Sequence, residues 1–164
     1  MSPLSLSFTL NGRPVTAGID RHRLFLDLLR GELGLKGPKY GCGMAQCGAC
    51  SVLVDGLPAR ACVLRAARLE GREVVTLEGL AQGGNLHPVQ QAFVDKQAAQ
   101  CGYCLNGMVI SAVALLRANP RPSRDEIREG MRDNLCRCGT HQEIIEAVEH
   151  AAGLLAAAGE QAHV

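Results

Sequence analysis

Eight cysteines in 164 residues, gathered in two sets of four, constrain this chain more than any other feature. One set is Cys42, Cys47, Cys50 and Cys62; the other is Cys101, Cys104, Cys136 and Cys138. An even count of this kind in a small secreted chain reads as a disulfide framework, which needs an oxidising compartment and a chain too short to build a core. The sequence points elsewhere. Apolar residues make up 47% of it, rich in Leu, Val and Ala. Residues 1–10 alternate apolar and polar side chains without a basic start or an apolar stretch, so no secretory signal is read there. A cytoplasmic location is expected, and spaced thiols in a reducing compartment point to metal.

The first set spells Cys42-Gly-Met-Ala-Gln-Cys47-Gly-Ala-Cys50, with Cys62 following after eleven residues. C-x4-C-x2-C with a distant fourth cysteine is the plant-type spacing for a 2Fe–2S cluster. Three thiolates delivered from so short a stretch require a loop wrapped around one side of the cluster. Gly41, Gly43 and Gly48 let the backbone approach closely and take positive φ, and N–H groups of such a loop can point at sulfur and offset its charge. Zinc is the competing metal, but zinc loops usually join two close pairs, and the lone Cys62 fits that poorly.

The second set is Cys101-Gly-Tyr-Cys104 with Cys136-Arg-Cys138. Alone, C-x2-C is a redox dithiol, half a zinc site or half a cluster. A thioredoxin-like role would require a βαβ unit around Cys101 and would leave Cys136 and Cys138 without a purpose. The C-x-C bite is tighter than that of the usual zinc pair, and the two pairs together supply four soft ligands. Beside the first set, this one reads as a second metal centre of the same kind.

The remaining composition excludes other classes. A net charge of +1 and 3% aromatic residues give no basic field and few rings for nucleic acid. No apolar run is long enough to span a bilayer, so no direct membrane insertion is expected. Neither G-x-G-x-x-G nor G-x-x-x-x-G-K-[ST] occurs, so no nucleotide site is read. His22, His87, His141, His150 and His163 are dispersed and read as surface or capping residues. Glu143, Glu146 and Glu149 read as one solvated helix face. With no nucleophile–base pair, catalytic residues are expected to be absent and substrate chemistry to sit on another chain.

The pattern predicts an α+β chain. Leu4, Leu6, Phe8 and Leu10 alternate with polar residues as a half-buried strand, Asn11-Gly12 is a hairpin turn, and Pro14-Val15-Thr16 begins the return strand. Leu24, Leu28, Leu29 and Leu33 form a helical stripe ending near Gly34. Residues 51–54, Asp55-Gly56 and 59–63 read as a second hairpin, and 74–77 as a fifth strand. A sheet crossed by one helix, with the cysteine loop between helix and strand, is a β-grasp (plant-type ferredoxin-like) domain. Gln82-Gly83-Gly84-Asn85 marks a boundary, giving domains 1–81 and 82–164. The second is expected to be a four-helix bundle: a helix through Val89, Phe93 and Val94, a buried one over 108–116, and two opened by capping boxes at Ser123/Glu126 and Thr140/Glu143. Residues 159–164 read as a frayed end.

Five segments carry a resemblance: Tyr40-Gly-Cys-Gly-Met-Ala-Gln-Cys-Gly-Ala-Cys50, Thr76-Leu-Glu-Gly-Leu80, His87-Pro-Val-Gln-Gln91, Gln100-Cys-Gly-Tyr-Cys104 and Asn134-Leu-Cys-Arg-Cys-Gly139. The chain resembles the small iron–sulfur subunit of molybdenum hydroxylases, the xanthine dehydrogenase and aldehyde oxidoreductase family. The resemblance implies two 2Fe–2S clusters and, as partner, a large molybdopterin-binding catalytic subunit. It further implies the cofactor in its cytosine dinucleotide form and, as acceptor, a flavin or cytochrome subunit. It implies that the helical-domain cluster lies beside the molybdenum cofactor, that Gln100 hydrogen-bonds its pterin and that Cys138 contacts the same cofactor. Many members continue the second motif as Cys-Thr-Pro-Gly-Met; here it is Cys104-Leu-Asn-Gly-Met108, with Asn106 expected as a helix N-cap. This variant is similar to the branch oxidising N-heteroaromatic rings, nicotinate dehydrogenase and isoquinoline oxidoreductase included. The alternative is a free-standing two-cluster ferredoxin-type carrier. Eight thiolates around two di-iron cores would bring the loaded chain to a charge of about −3.

Overall fold

The computed structural model describes residues 4–159. Strands β1 (Leu4–Leu10) and β2 (Arg13–Ile19) pair antiparallel around Asn11-Gly12, whose φ values of 51° and 75° are those of the tight hairpin turn. Leu6, Phe8 and Leu10 face inward, as the alternation requires. The chain then crosses the sheet through a short helix, α1 (Phe25–Asp27), widened into a π turn over Leu28–Glu32. The predicted stripe is therefore shifted. Leu24 precedes the helix, and Phe25, Leu26, Leu28 and Leu29 make up the buried face, with Asp27, Gly31 and Glu32 exposed. The Phe25 ring stands edge-on to Phe8 at 5.8 Å.

Strands β3 (Ser51–Val54) and β4 (Leu57–Arg60) form the second hairpin, turning at Asp55-Gly56. The partner strand lies earlier than the predicted 59–63, because Val63 and Leu64 both donate to the Arg60 carbonyl and turn the chain at Cys62. Strand β5 (Glu73–Val75) lies parallel to β1 and antiparallel to β3, giving the order β2-β1-β5-β3-β4. Thr76 and Leu77, predicted as strand, leave the sheet. Asn11 Oδ1 accepts from the Thr76 N–H at 2.8 Å, and α2 (Leu77–Leu80) starts there. This mixed sheet crossed by one helix is the expected β-grasp.

The second half is helical: α3 (Pro88–Asp95), α4 (Leu105–Ala118), α5 (Arg124–Met131) and α6 (His141–Ala158). His87 and Gln90 form a reciprocal capping box at α3, and Ser123 and Glu126 form the predicted one at α5. Thr140 makes no such cap at α6. Gly159 closes α6 in the left-handed conformation; residues 160–164 of the predicted frayed end, with His163, lie outside the described residues.

Two buried apolar groups hold the molecule. One joins Leu6, Phe8, Phe25, Leu28, Val52 and Val74 beneath α1. The other joins Val89, Met108, Ile110, Val113, Ile127 and Val148 among the helices, and Leu53 and Val75 of the sheet belong to it. The sheet is thus covered by α1 on one face and by α4 on the other. That packing sets the two cysteine-bearing segments side by side.

Candidate iron–sulfur sites and the seam between them

The segment from the π turn to β3 is held from outside. Lys36 and Gly37 N–H groups donate to Glu78 Oε1 at 2.9 and 2.6 Å, and Arg30 Nη1 donates to the carbonyls of Lys36 and Pro38 at 3.2 and 2.8 Å. Within this frame Cys42 Sγ accepts from the N–H groups of Met44 (3.3 Å), Gln46 (3.2 Å) and Cys47 (3.4 Å), while Cys47 Sγ accepts from Cys42 (3.4 Å). Gly43 and Gly48 take the positive φ values, 69° and 79°, that wrap the loop. At Gly41 a Cβ would lie 2.6 Å from Cys47 Sγ, so only glycine admits the sulfur there. The N–H donors from Met44 and Cys47 hold the Cys42 thiol down at about 6, whereas burial pushes the Cys50 thiol up to about 11. Cys50 and Cys62 are buried together, the Cys62 N–H aimed at the Cys50 sulfur.

The second set comes from two loops. Cys101 Sγ is 3.4 Å from Cys138 Sγ, and Cys104 lies against Cys136. Gly102 and Gly139, at φ 78° and 88°, turn the two loops back on themselves. Burial, reinforced by the neighbouring Cys136 thiol, pushes Cys104 up to about 12. Burial also opposes ionisation of Cys136, but the Thr140 hydroxyl, 3.4 Å from its sulfur, and the Cys138 N–H bring it down to about 7. This explains the missing cap: the Thr140 hydroxyl faces sulfur and not the open amides of α6. The Cys101 thiol is held down by the Tyr103 N–H.

Among the described residues, no three or more His, Cys, Asp or Glu side chains are drawn up around a single metal ion. The thiols stand instead as pairs: Cys42 with Cys47, Cys50 with Cys62, Cys101 with Cys138, Cys104 with Cys136. A two-iron core takes two thiolates on each iron. Paired soft donors, N–H groups aimed at sulfur and glycines where a Cβ would collide all fit such a core in each set.

The two sets meet along a seam that the cysteine spacing does not show. The Leu135 N–H donates to the Cys47 carbonyl at 3.0 Å. Asn106, expected as an N-cap, is fully buried in the first turn of α4, and Cys104 occupies the cap position. Asn106 Nδ2 donates to the carbonyls of Ala49 and Ser51, both at 2.9 Å, because β3 lies against this end of α4. A Cβ on Gly107 would fall 2.2 Å from the Gly48 carbonyl oxygen, and one on Gly48 would fall 2.1 Å from Asn134 Oδ1. Arg60 reaches across to the Asp133 carbonyl at 2.8 Å, and the Tyr103 hydroxyl donates to the Tyr40 carbonyl. Asn106, Gly107 and Asn134 adjoin the cysteine motifs, so their place in the chain is a signal; their facing the other lobe is not. Gln100 is exposed beside Cys101, and its side chain makes no hydrogen bond to the described chain.

Fold and site together define a protein with two 2Fe–2S domains in series. A family model described as a "2Fe-2S iron-sulfur cluster binding domain" matches residues 8–80, and one described as a "[2Fe-2S] binding domain" matches residues 76–149. One subunit of the nicotinate dehydrogenase of Pseudomonas putida is 53% identical over 148 residues, covering 90% of this chain and 94% of that one. The aldehyde oxidoreductase of Megalodesulfovibrio gigas is 43% identical over 150 residues, covering 90% of this chain but 16% of that much longer one. The crystal structure of quinoline 2-oxidoreductase from Pseudomonas putida 86 superposes with a TM-score of 0.92 at 41% identity, covering 98% of this chain and 99% of the matched chain. The chain belongs to the family of small 2Fe–2S subunits of the molybdenum hydroxylases. Among the described residues no helix is long and apolar enough to cross a membrane.

Proposed function

We propose that this chain relays single electrons from the molybdopterin centre of a large catalytic subunit to an external acceptor, first through the Cys101, Cys104, Cys136 and Cys138 centre and then through the Cys42, Cys47, Cys50 and Cys62 centre. Each cluster, when bound, takes up and releases one electron at a time. The chain's residues supply the thiolates, the N–H groups that offset their charge, and a fixed spacing between the two sets. The observation that carries this reading is the Leu135 N–H to Cys47 carbonyl bond, which joins the two ligand loops directly.

The orientation follows from exposure. Cys101 is exposed, with the unengaged Gln100 before it and the exposed apolar side chains of Tyr103 and Leu135 nearby. A partner surface closing there brings its cofactor to the second centre, with Gln100 hydrogen-bonding the pterin and Cys138 contacting the same cofactor. The finer reading is a cytoplasmic complex holding the cytosine dinucleotide form of molybdopterin, passing electrons to a flavin or cytochrome subunit, with residues 1–81 and 82–164 as its two folding units. The substrate is an N-heteroaromatic ring of the nicotinate type, supported by nicotinate dehydrogenase and quinoline oxidoreductase as relatives; an aldehyde is the second reading, supported by the Megalodesulfovibrio gigas relative.

The test is copurification. A stable complex with a large molybdenum-containing subunit, carrying about four iron atoms per copy of this chain, supports the proposal. A colourless, zinc-bound or partnerless protein contradicts it.

A further inference from the structure

We propose that the groove flanking the first cysteine set is the docking site for the electron-accepting protein, and that it selects a partner with a carboxylate-rich face. The proposal rests on the relay function above. The groove holds about 470 Å3 and is lined by Ala45, Ala59, Val63, Arg60, Arg65 and Arg68. Ala45 lies in the loop between Cys42 and Cys47, and Val63, 48% exposed, directly follows Cys62. A partner seated here stands one or two residues from a candidate ligand in each of the two cysteine pairs.

No ion pair among the described residues involves an arginine of this groove. Arg23, Arg72, Arg124, Arg128 and Arg132 each pair with a carboxylate. The groove's three arginines do not. Arg60 donates to Ser51 Oγ and the Asp133 carbonyl, Arg65 meets His22 Nδ1 at 2.5 Å, and Arg68 has no partner among the described residues. Glu70, two residues from Arg68, accepts from the Ser7 N–H at 2.9 Å, and Asp20, two residues from His22, accepts from the His22 N–H at 2.7 Å. An apolar floor ringed by charged groups is the anatomy of a protein interface. In the transfer, one electron leaves the first centre and reduces a one-electron group of the partner; no atom or proton moves.

Overall charge and local charge make opposite predictions, and this sharpens the test. The loaded chain at about −3 favours a basic partner, whereas the groove favours an acidic one. The experiment uses the purified holo complex and two c-type cytochromes of similar potential, one acidic and one basic. Binding is measured on the fully oxidised proteins, and cytochrome reduction by stopped flow. The acidic cytochrome should bind more tightly and be reduced about 10-fold faster at low salt, with the advantage fading as salt rises. The double variant R65E/R68E should reverse the preference and the distant R121E should not, both with unchanged reduction of a small neutral dye. Equal rates, preference for the basic cytochrome, or an unaltered R65E/R68E would overturn the docking site. Substrate-driven reduction of both clusters would then still uphold the relay, and its absence would strike the relay itself.

Discussion

The backbone N–H of Leu135 donates to the carbonyl oxygen of Cys47 at 3.0 Å, joining a residue adjacent to Cys136 to a residue of the first cysteine set. One hydrogen bond therefore links the two ligand loops by a short run of backbone. It holds only if α4 and the first loop press together without side chains between them, which is the work of Gly48 and Gly107.

Gly107→Ala tests that close approach. The new methyl would meet the Gly48 carbonyl oxygen at 2.2 Å, a backbone atom and not the free end of a side chain, so one of the two segments must shift. The loss is expected at about 1–3 kcal/mol, seen by calorimetry as a Tm lower by about 3–10 °C. The magnetic interaction between the two reduced clusters should weaken in the same variant, because the seam opens between them.

Asn106→Ala removes both bonds from α4 to the Ala49 and Ser51 carbonyls. Two buried acceptors lose their donor, at a cost of about 2–4 kcal/mol, measured as a lower urea midpoint of the holo protein. If Asn106 served only as a helix cap, Ser or Asp there would restore stability; at this buried position neither should.

How much of this is legible in the sequence differs from residue to residue. Asn11-Gly12 and Asp55-Gly56 announce their turns because few other pairs accept two consecutive left-handed residues. The cysteine sets are legible for a similar reason: covalent reach fixes their spacing. Thr140 and Asn106 mislead because a cap is inferred from local sequence, and each side chain finds a partner farther away, Cys136 sulfur in one case and the β3 backbone in the other. The stripe over 24–33 misleads because the π turn over Leu28–Glu32 breaks the 3.6-residue period, and Phe25 and Leu26, in place of Leu24 and Leu33, join Leu28 and Leu29 in the buried face.

Glu78 gives the pH dependence. Burial alone would raise its carboxyl, but the N–H of Gly37, the Thr76 hydroxyl and the N–H of Lys36 outweigh burial and hold it below its ordinary 4.5. A carboxyl depressed on folding stabilises above its unfolded pKa, and that contribution is lost as pH falls through the folded value. Stability of the first lobe should therefore decline below about pH 4.5. Glu78→Gln should be less stable at pH 7, with a shallower acid limb, the two curves converging in strong acid. Parallel curves would contradict the assignment.

Cys101→Ser separates the two centres. Cys101 and Cys138 stand together at 3.4 Å, in the other lobe from Cys42 and Cys47. The variant should lose the EPR signal of the second centre and nearly all substrate-linked reduction, while the signal of the first centre persists on chemical reduction.

The most direct measurement is iron content together with the EPR spectrum of the anaerobically isolated, dithionite-reduced protein. Two distinct 2Fe–2S signals, each integrating to about one spin per chain on about four irons, are the predicted result. A folded, partner-competent protein that is colourless and free of iron would contradict the account at its root.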